Sequence, residues 1–405
     1  MQDQATEVTA AGIARLAGVG RAAVSNWRRR HADFPKPVGG TETSPSFALA
    51  EVEGWLRKQG KLAEVPLRER VWQQLAGHPE GPLTALVHAG CALLLIHERS
   101  TVWLAASAGS DERLARLLPG ALAQVLTPRL GAVAGVLMPG VGPPDDVNTS
   151  DDSQATNRGS TAPAVNTAPT TPDVNVPDTS DTSDTSDSSG TPDAPPPLLP
   201  SVPLLRGAAE LAAEVGARQA FEFLLGRHLD ANPRQYTLTP AELAALMADL
   251  AGPARTALDP ACGTGALLRA VDTRPEQWLH AQDSAPDLAA LTALRLALHS
   301  RAGVRAAAGD ALRADAFPEL RADVVLCHPP FNERNWGHDE LAYDPRWEYG
   351  FPARTESELA WVQHALARLT DGGTAVLLMP PAAASRRSGR RIRADLLRRG
   401  ALRAV

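Results

Sequence analysis

An α/β fold with an open parallel sheet is predicted for the carboxyl-terminal half of this 405-residue chain, from three observations. A short apolar run ends in an acid and a glycine-rich turn that enters an apolar helix, Ala257-Leu258-Asp259-Pro260-Ala261-Cys262-Gly263-Thr264-Gly265. Such a turn lets backbone approach a ligand and presents unpaired N–H groups at the positive helix end, which suits a nucleotide-like cofactor. A second apolar run, residues 322–327, reads as a buried parallel strand and delivers His328-Pro329-Pro330-Phe331 at its carboxyl end, the edge where open α/β sheets bind ligands. Between them, strands at 278–282 and 305–308 are each followed by an acid, Asp283 and Asp310.

In chain order, residues 9–17 read as a capped short helix, 18–20 as a turn, and 21–30 as a second helix with Ala23, Val24 and Trp27 inward. This is helix-turn-helix spacing. Residues 16–25 resemble the repressor-type motif, and the continuation through 34–38, Phe47 and 51–56 resembles a small winged excisionase-type domain, so residues 1–60 are taken as a DNA-binding head. Arg21, Ser25, Asn26, Arg28 and Arg29 would face DNA; a helical adaptor with solvated arginines is the alternative.

Residues 62–140 alternate helical stretches (67–76, 112–126) with apolar runs (83–96, 101–106) and are read as a small α or α+β spacer domain. His78, His88 and His97 are irregularly spaced, as solvated or satisfied core histidines are. Residues 141–200 hold ten Asp and one base, Arg158, among Thr, Ser, Pro and Asn, and are expected to be a disordered linker. Without it the formal charge of −6 becomes +3, compatible with nucleic acid. Cys91, Cys262 and Cys327 form no metal-ligand or disulfide pattern, and no segment has the length or apolarity to span a bilayer. A cytoplasmic protein without metal is expected.

The carboxyl-terminal domain, residues 201–405, opens with an amphipathic helix at 208–229. Thr239 then reads as the N-cap of a helix over 241–250 with Pro240 at its first position. After the cofactor strand, Asp283 is placed to accept ribose hydroxyls. Strand five is read at 372–380, a basic helix at 386–400, and the beginning of a sixth strand at 401–405.

The Pro-Pro turn is rigid and rich in acceptors, and Phe331 supplies a flat face, which suits a planar amino-bearing base swung out of a duplex. Through these motifs the chain resembles an adenine-N6 DNA methyltransferase. More narrowly, Trp336-Gly337, Asp344-Pro345-Arg346-Trp347, Tyr349-Gly350 and residues 359–364 are similar to the methylation subunit of type I restriction-modification systems, over roughly 210–405. The resemblance implies a Rossmann-like S-adenosylmethionine-dependent sheet with its last strands cut short. It implies cofactor contacts from Thr239, Pro240, Asp259, Ala261, Gly263, Gly265, Asp283, Asp310 and Ala311, and a catalytic loop of His328, Pro329, Pro330 and Phe331. Double-stranded DNA is the implied substrate, with a specificity subunit and a nuclease subunit as implied partners. The family carries Asn or Asp where this chain has His328. A neutral imidazole can replace that acceptor. The open alternatives are a degenerate methyltransferase fold that serves DNA binding or regulation, and transfer to RNA or a small molecule.

Overall fold

The computed structural model describes residues 7–41, 44–60, 66–131, 133–137, 198–233 and 235–405. Most of the expected linker lies outside the described residues.

The amino-terminal unit contains β1 (Glu7–Thr9), α1 (Ala10–Leu16), α2 (Arg21–Arg30), β2 (Pro37–Thr41), β3 (Ser44–Ala48) and α3 (Leu49–Lys58). Its strands form an antiparallel sheet of order β1-β3-β2. Ile13, Val24, Phe34, Phe47, Trp55 and Leu56 close a core of their own. Val24 is buried as expected, whereas Ala23 and Trp27 are half-buried.

Next come α4 (Leu67–Ala76), α5 (Pro82–Ser107), α6 (Asp111–Leu130) and α7 (Val133–Leu137). No strand occurs among the described residues of this region, and the two apolar runs expected there are the limbs of α5, kinked at Arg99. A helix apolar on all sides is a buried helix. Accordingly these helices share one continuous hydrophobic core with the carboxyl-terminal half, from Val71 to Leu326. At the crossing of α5 with its neighbours, a Cβ on Gly90 would come within 2.7 Å of Phe221 and 2.8 Å of Leu294. His78 and His88 are satisfied core histidines, each hydrogen-bonded to the buried Ser201 hydroxyl (2.9 and 2.8 Å). Leu198, within the expected linker, and Ser201, just after it, are both buried.

The single helix expected at 208–229 is two, α8 (Val202–Val215) and α9 (Ala217–Ala231), divided by Gly216 at φ 88°. α10 (Ala241–Ala251) leads to the sheet: β4 (Thr256–Asp259), α11 (Ala266–Ala270), β5 (Trp278–Asp283), α12 (Pro286–His299), β6 (Gly303–Ala308), β7 (Ala322–Cys327), α13 (Ser357–Ala367) and β8 (Leu369–Leu377). All pairings are parallel, in the order β6-β5-β4-β7-β8. Alternate residues serve opposite faces. Ala257, Val324 and Leu326 join the large core, while Leu258 and Val325 pack with Ala365 of α13 on the other side. Burial on both faces explains the unbroken apolar run of β7.

The basic helix expected at 386–400 is a short α14 (Ala382–Ser385) and α15 (Arg390–Arg398), separated by an arginine-bearing loop. Residues 401–405 pair with no strand, so the expected start of a sixth strand is not formed. Among the described residues no helix is long and apolar enough to cross a membrane.

Candidate active site

From β4 the chain runs outward through β5 to β6, and then returns to add β7 and β8 on the other side of β4. The strand order therefore reverses between β4 and β7, where open α/β sheets leave a crevice at their carboxyl ends. β4 delivers Asp259 and the glycine turn to that crevice, and β7 delivers His328.

Gly263 and Gly265 adopt φ of 52° and 76°, left-handed values that favour glycine. A Cβ on Gly265 would meet Thr292 at 3.0 Å, whereas one on Gly263 would point into open space. The turn is held by Asp283, whose Oδ2 accepts the Gly263 N–H (2.8 Å) and whose Oδ1 accepts that of Ala285 (2.9 Å). Asp259 Oδ1 accepts from Ala261 N–H (3.1 Å), while its buried Oδ2 has no partner among the described residues. Burial, with the Asp283 charge adding to it, raises the Asp259 carboxyl to about 8. A buried acid with one free oxygen beside an open glycine turn fits a ligand that brings a positive charge.

Thr239, Asp259, Ala261, Gly263 and His328 line one small cavity with Thr237 and Thr264. A larger cavity of about 350 Å³, reaching to Leu229 and Arg295, shares Thr239, Thr264 and Ala266 with it. Thr239 does not cap α10. The cap position belongs to Pro240, exposed and without a side-chain bond. Instead, Thr239 Oγ1 lies 2.9 Å from His328 Nδ1, so the residue before α10 is tied to the end of β7. Burial lowers the pKa of His328 and keeps the ring neutral near pH 7. Pro329 is buried and Pro330 exposed. The Phe331 ring is 39% exposed and stands 5.2 Å from His328, so a flat apolar face is open at the crevice.

Residues 217–405 match the N-6 DNA Methylase family model.

The methylase-like segment is 27% identical over 198 residues to the type I restriction enzyme HindI methylase subunit of Haemophilus influenzae, covering 44% of this chain and 42% of that one. It is 30% identical over 145 residues to the type I restriction enzyme MjaVIII methylase subunit of Methanocaldococcus jannaschii (31% and 25%). Over 155 residues it is 28% identical to the type II restriction enzyme and methyltransferase RM.BcgI of Heyndrickxia coagulans (37% and 24%). The chain thus spans less than half the length of each of these relatives.

Of the cofactor candidates, Pro240, Gly265, Asp283, Asp310 and Ala311 do not line the small cavity. Asp310 accepts from Leu312 N–H (2.9 Å) and lies 3.7 Å from Arg313, while Ala311 is buried in the cluster around Trp336. Sequence reasoning missed the residues that brace the glycine turn from behind. Thr292 of α12 donates to Gly263 O (2.8 Å), and Arg295 donates to Thr264 O (2.8 Å) while clasping Glu222 of α9 through two bonds of 2.8 and 2.7 Å. Their signal was present: two polar residues three apart within the otherwise apolar stretch 288–298. Gln282, 1% exposed, likewise donates to Gly309 O and Ala314 O and fixes the loop carrying Asp310.

Equally unforeseen is the clamp on the loop after Phe331. Asn332 takes φ 56°, unusual for a side-chain-bearing residue. Its N–H donates to Glu358 Oε1 (3.0 Å), and its side-chain oxygen accepts from Arg386, which also donates to Glu358 Oε2 (2.7 Å). Burial would raise the Glu358 carboxyl, but the bonds from Arg386, Asn332 and its own backbone outweigh it and hold the group below its ordinary value. In the amino-terminal unit, Arg21, Ser25, Arg28 and Arg29 are exposed on α2 and Asn26 is half-buried, with the Arg28 guanidinium 5.5 Å from the Phe47 ring centre. Among the described residues no cluster of His, Cys, Asp and Glu could hold a metal ion.

Proposed function

We propose that this protein transfers a methyl group from S-adenosylmethionine to the N6 amine of adenine in double-stranded DNA as part of a restriction-modification system. The observation that carries the reading is the meeting of the Asp259–Gly265 turn and the His328–Phe331 loop across adjacent strands at the switch point, bridged by Thr239. The family match and the restriction-enzyme relatives support the same chemistry.

When bound, S-adenosylmethionine supplies an electrophilic methyl group on a positively charged sulfur. Asp259, with an unpartnered buried oxygen, balances positive charge at the turn. Gly263 admits the ligand to the backbone, and Asp283 holds the turn while keeping lone pairs free for hydroxyls. The adenine amine is a weak nucleophile because its lone pair is delocalised, so the chain must supply acceptors for its hydrogens and hold the base flat. The Pro329 carbonyl and His328 Nε2 are the acceptors, and the exposed Phe331 face stacks on the base. The bond from Nδ1 to Thr239 leaves Nε2 as the ring nitrogen that can meet the substrate.

The amino-terminal unit, with helices 10–16 and 21–30 and the hairpin of β2 and β3, is read as a winged helix-turn-helix head whose Arg21, Ser25, Asn26, Arg28 and Arg29 meet DNA. A specificity subunit and a nuclease subunit are the partners proposed. The second reading, a fold that binds cofactor and DNA without transfer, is favoured by His328 at the acceptor position alone. Incubation with tritiated S-adenosylmethionine and bacterial DNA, followed by nucleoside analysis, separates the two. Labelled N6-methyladenine is expected. Intact cofactor and DNA binding with no labelled nucleoside, from both wild type and His328→Asn, would establish the second reading.

A further inference from the structure

The last twenty-five residues carry eight arginines against a single acid, Asp395, and that acid is occupied by Arg398 and Arg399. Six of the eight are exposed, and among them Arg387, Arg390 and Arg391, together on the loop before α15 and on its first turn, have no ion pair or side-chain hydrogen bond among the described residues. Arg390 and Arg391 occupy the first turn of α15, where no acid offsets the positive end of the helix. Arginine there is unfavourable for the helix itself, so local stability does not account for the arrangement. Their place in the fold is specific. Arg386, next to Arg387, bonds the side-chain oxygen of Asn332, the residue after Phe331. Glu356 and Glu358, which the loop before α15 contacts, are fully buried and engaged by Ser388 and Arg386, so they do not neutralise the surface.

We propose that Arg387, Arg390 and Arg391 form a phosphate-contact surface of the methyltransferase body that grips the DNA strand flanking the base held at the His328–Phe331 loop. The inference rests on the adenine-methylation reading and adds to it a DNA contact separate from the amino-terminal head. A base swung out of a duplex stays joined to its own phosphates, so the backbone must pass within reach of the loop that holds it. Planar guanidinium groups pair with phosphate through two parallel bonds, and such contacts are independent of base sequence.

The test measures binding of the full chain to a fluorescein-labelled DNA duplex across a salt series. The protein carries Arg21→Gln, Arg28→Gln and Arg29→Gln, to suppress the head, and is compared with the same protein bearing Arg387→Gln, Arg390→Gln and Arg391→Gln. Replacing three phosphate contacts is expected to flatten the slope of log affinity against log salt by about 2–3 and to weaken low-salt binding at least about tenfold. Heat of S-adenosylmethionine binding should be unchanged, because none of the three lines the cofactor cavities. Equal slopes and affinities in the two proteins, or no DNA binding by the head-suppressed protein, would overturn the surface. A protein that binds DNA through these arginines yet methylates nothing would overturn the methylation reading and leave the surface standing.

Discussion

Thr239 Oγ1 and His328 Nδ1, 2.9 Å apart, decide what the histidine offers a base. If Nδ1–H donates to the hydroxyl oxygen, Nε2 keeps its lone pair; if the hydroxyl donates to Nδ1, Nε2 carries the hydrogen and repels an amine. The proposed transfer requires the first arrangement and a neutral ring. Because burial lowers this pKa from 6.5, the rate should hold at neutral pH and fall on acidification below that value. His328→Asn should remove the acid limb, and His328→Ala should lower kcat by roughly 10²–10³, by analogy with other deleted transition-state hydrogen bonds. A rate equal to wild type in the Ala variant would make His328 structural. Asp259 gives a second test. The folded protein holds a proton there that the unfolded chain has lost between pH 3.8 and about 8, so Asp259 contributes a loss of stability as pH rises through that window. Asp259→Asn should raise the melting temperature at pH 8 while weakening S-adenosylmethionine binding. Binding of the cationic cofactor at pH 7 should release roughly one proton, read from calorimetry in buffers of different ionisation heat. Zero release would mean that the ligand charge lies elsewhere.

Between the elements, the clamp from α13 and the segment before α15 to the β7 loop is the contact most exposed to disruption. Glu356 and Glu358 are fully buried, and Arg386 is the cation beside both, 4.0 Å from Glu356 and 2.7 Å from Glu358. Arg386→Ala would strand these carboxylates and release Asn332 from its left-handed turn. A loss of about 3 kcal/mol in urea denaturation is expected, in line with breaking a buried ion pair from one side. The more informative readout is kinetic: kcat should fall with cofactor affinity unchanged, since the clamp touches the base loop and not the glycine turn. An unchanged kcat in a correctly folded variant would remove the clamp from the positioning of Phe331.

Over the whole molecule, the helices from 67 to 137 belong to the body that carries the site, because α5, α9 and α12 meet at Gly90 and the Glu222–Arg295–Thr264 chain leads from α9 to the cofactor turn. Gly90→Val would force side-chain atoms into Phe221 and Leu294 and should cost about 1–3 kcal/mol. It should also weaken S-adenosylmethionine binding, although Gly90 lines neither cofactor cavity. Thermal unfolding that lost only a helical fraction, with cofactor binding intact, would show instead that the helices form an independent domain.

The sequence by itself determined the local features. Left-handed turns favour glycine at 263 and 265, short strand runs followed by acids mark β4, β5 and β6 in order, and the paired prolines fix the loop after β7, because each depends on a few adjacent residues. Element boundaries within apolar stretches were not so determined: the two limbs of α5 read equally well as strands, since a buried helix and a buried strand have the same unbroken apolar pattern. Only the tertiary structure decided contacts between residues far apart in the chain. Thr239 looked like a helix cap and became the partner of a histidine 89 positions away. Glu358 and Arg386 showed no local motif and acquired their roles from the strand order that brings α13 and the final loop around the crevice. The physical reason is the range of the forces: backbone conformation and periodicity are set by neighbours in sequence, whereas hydrogen bonds and burial are set by neighbours in space.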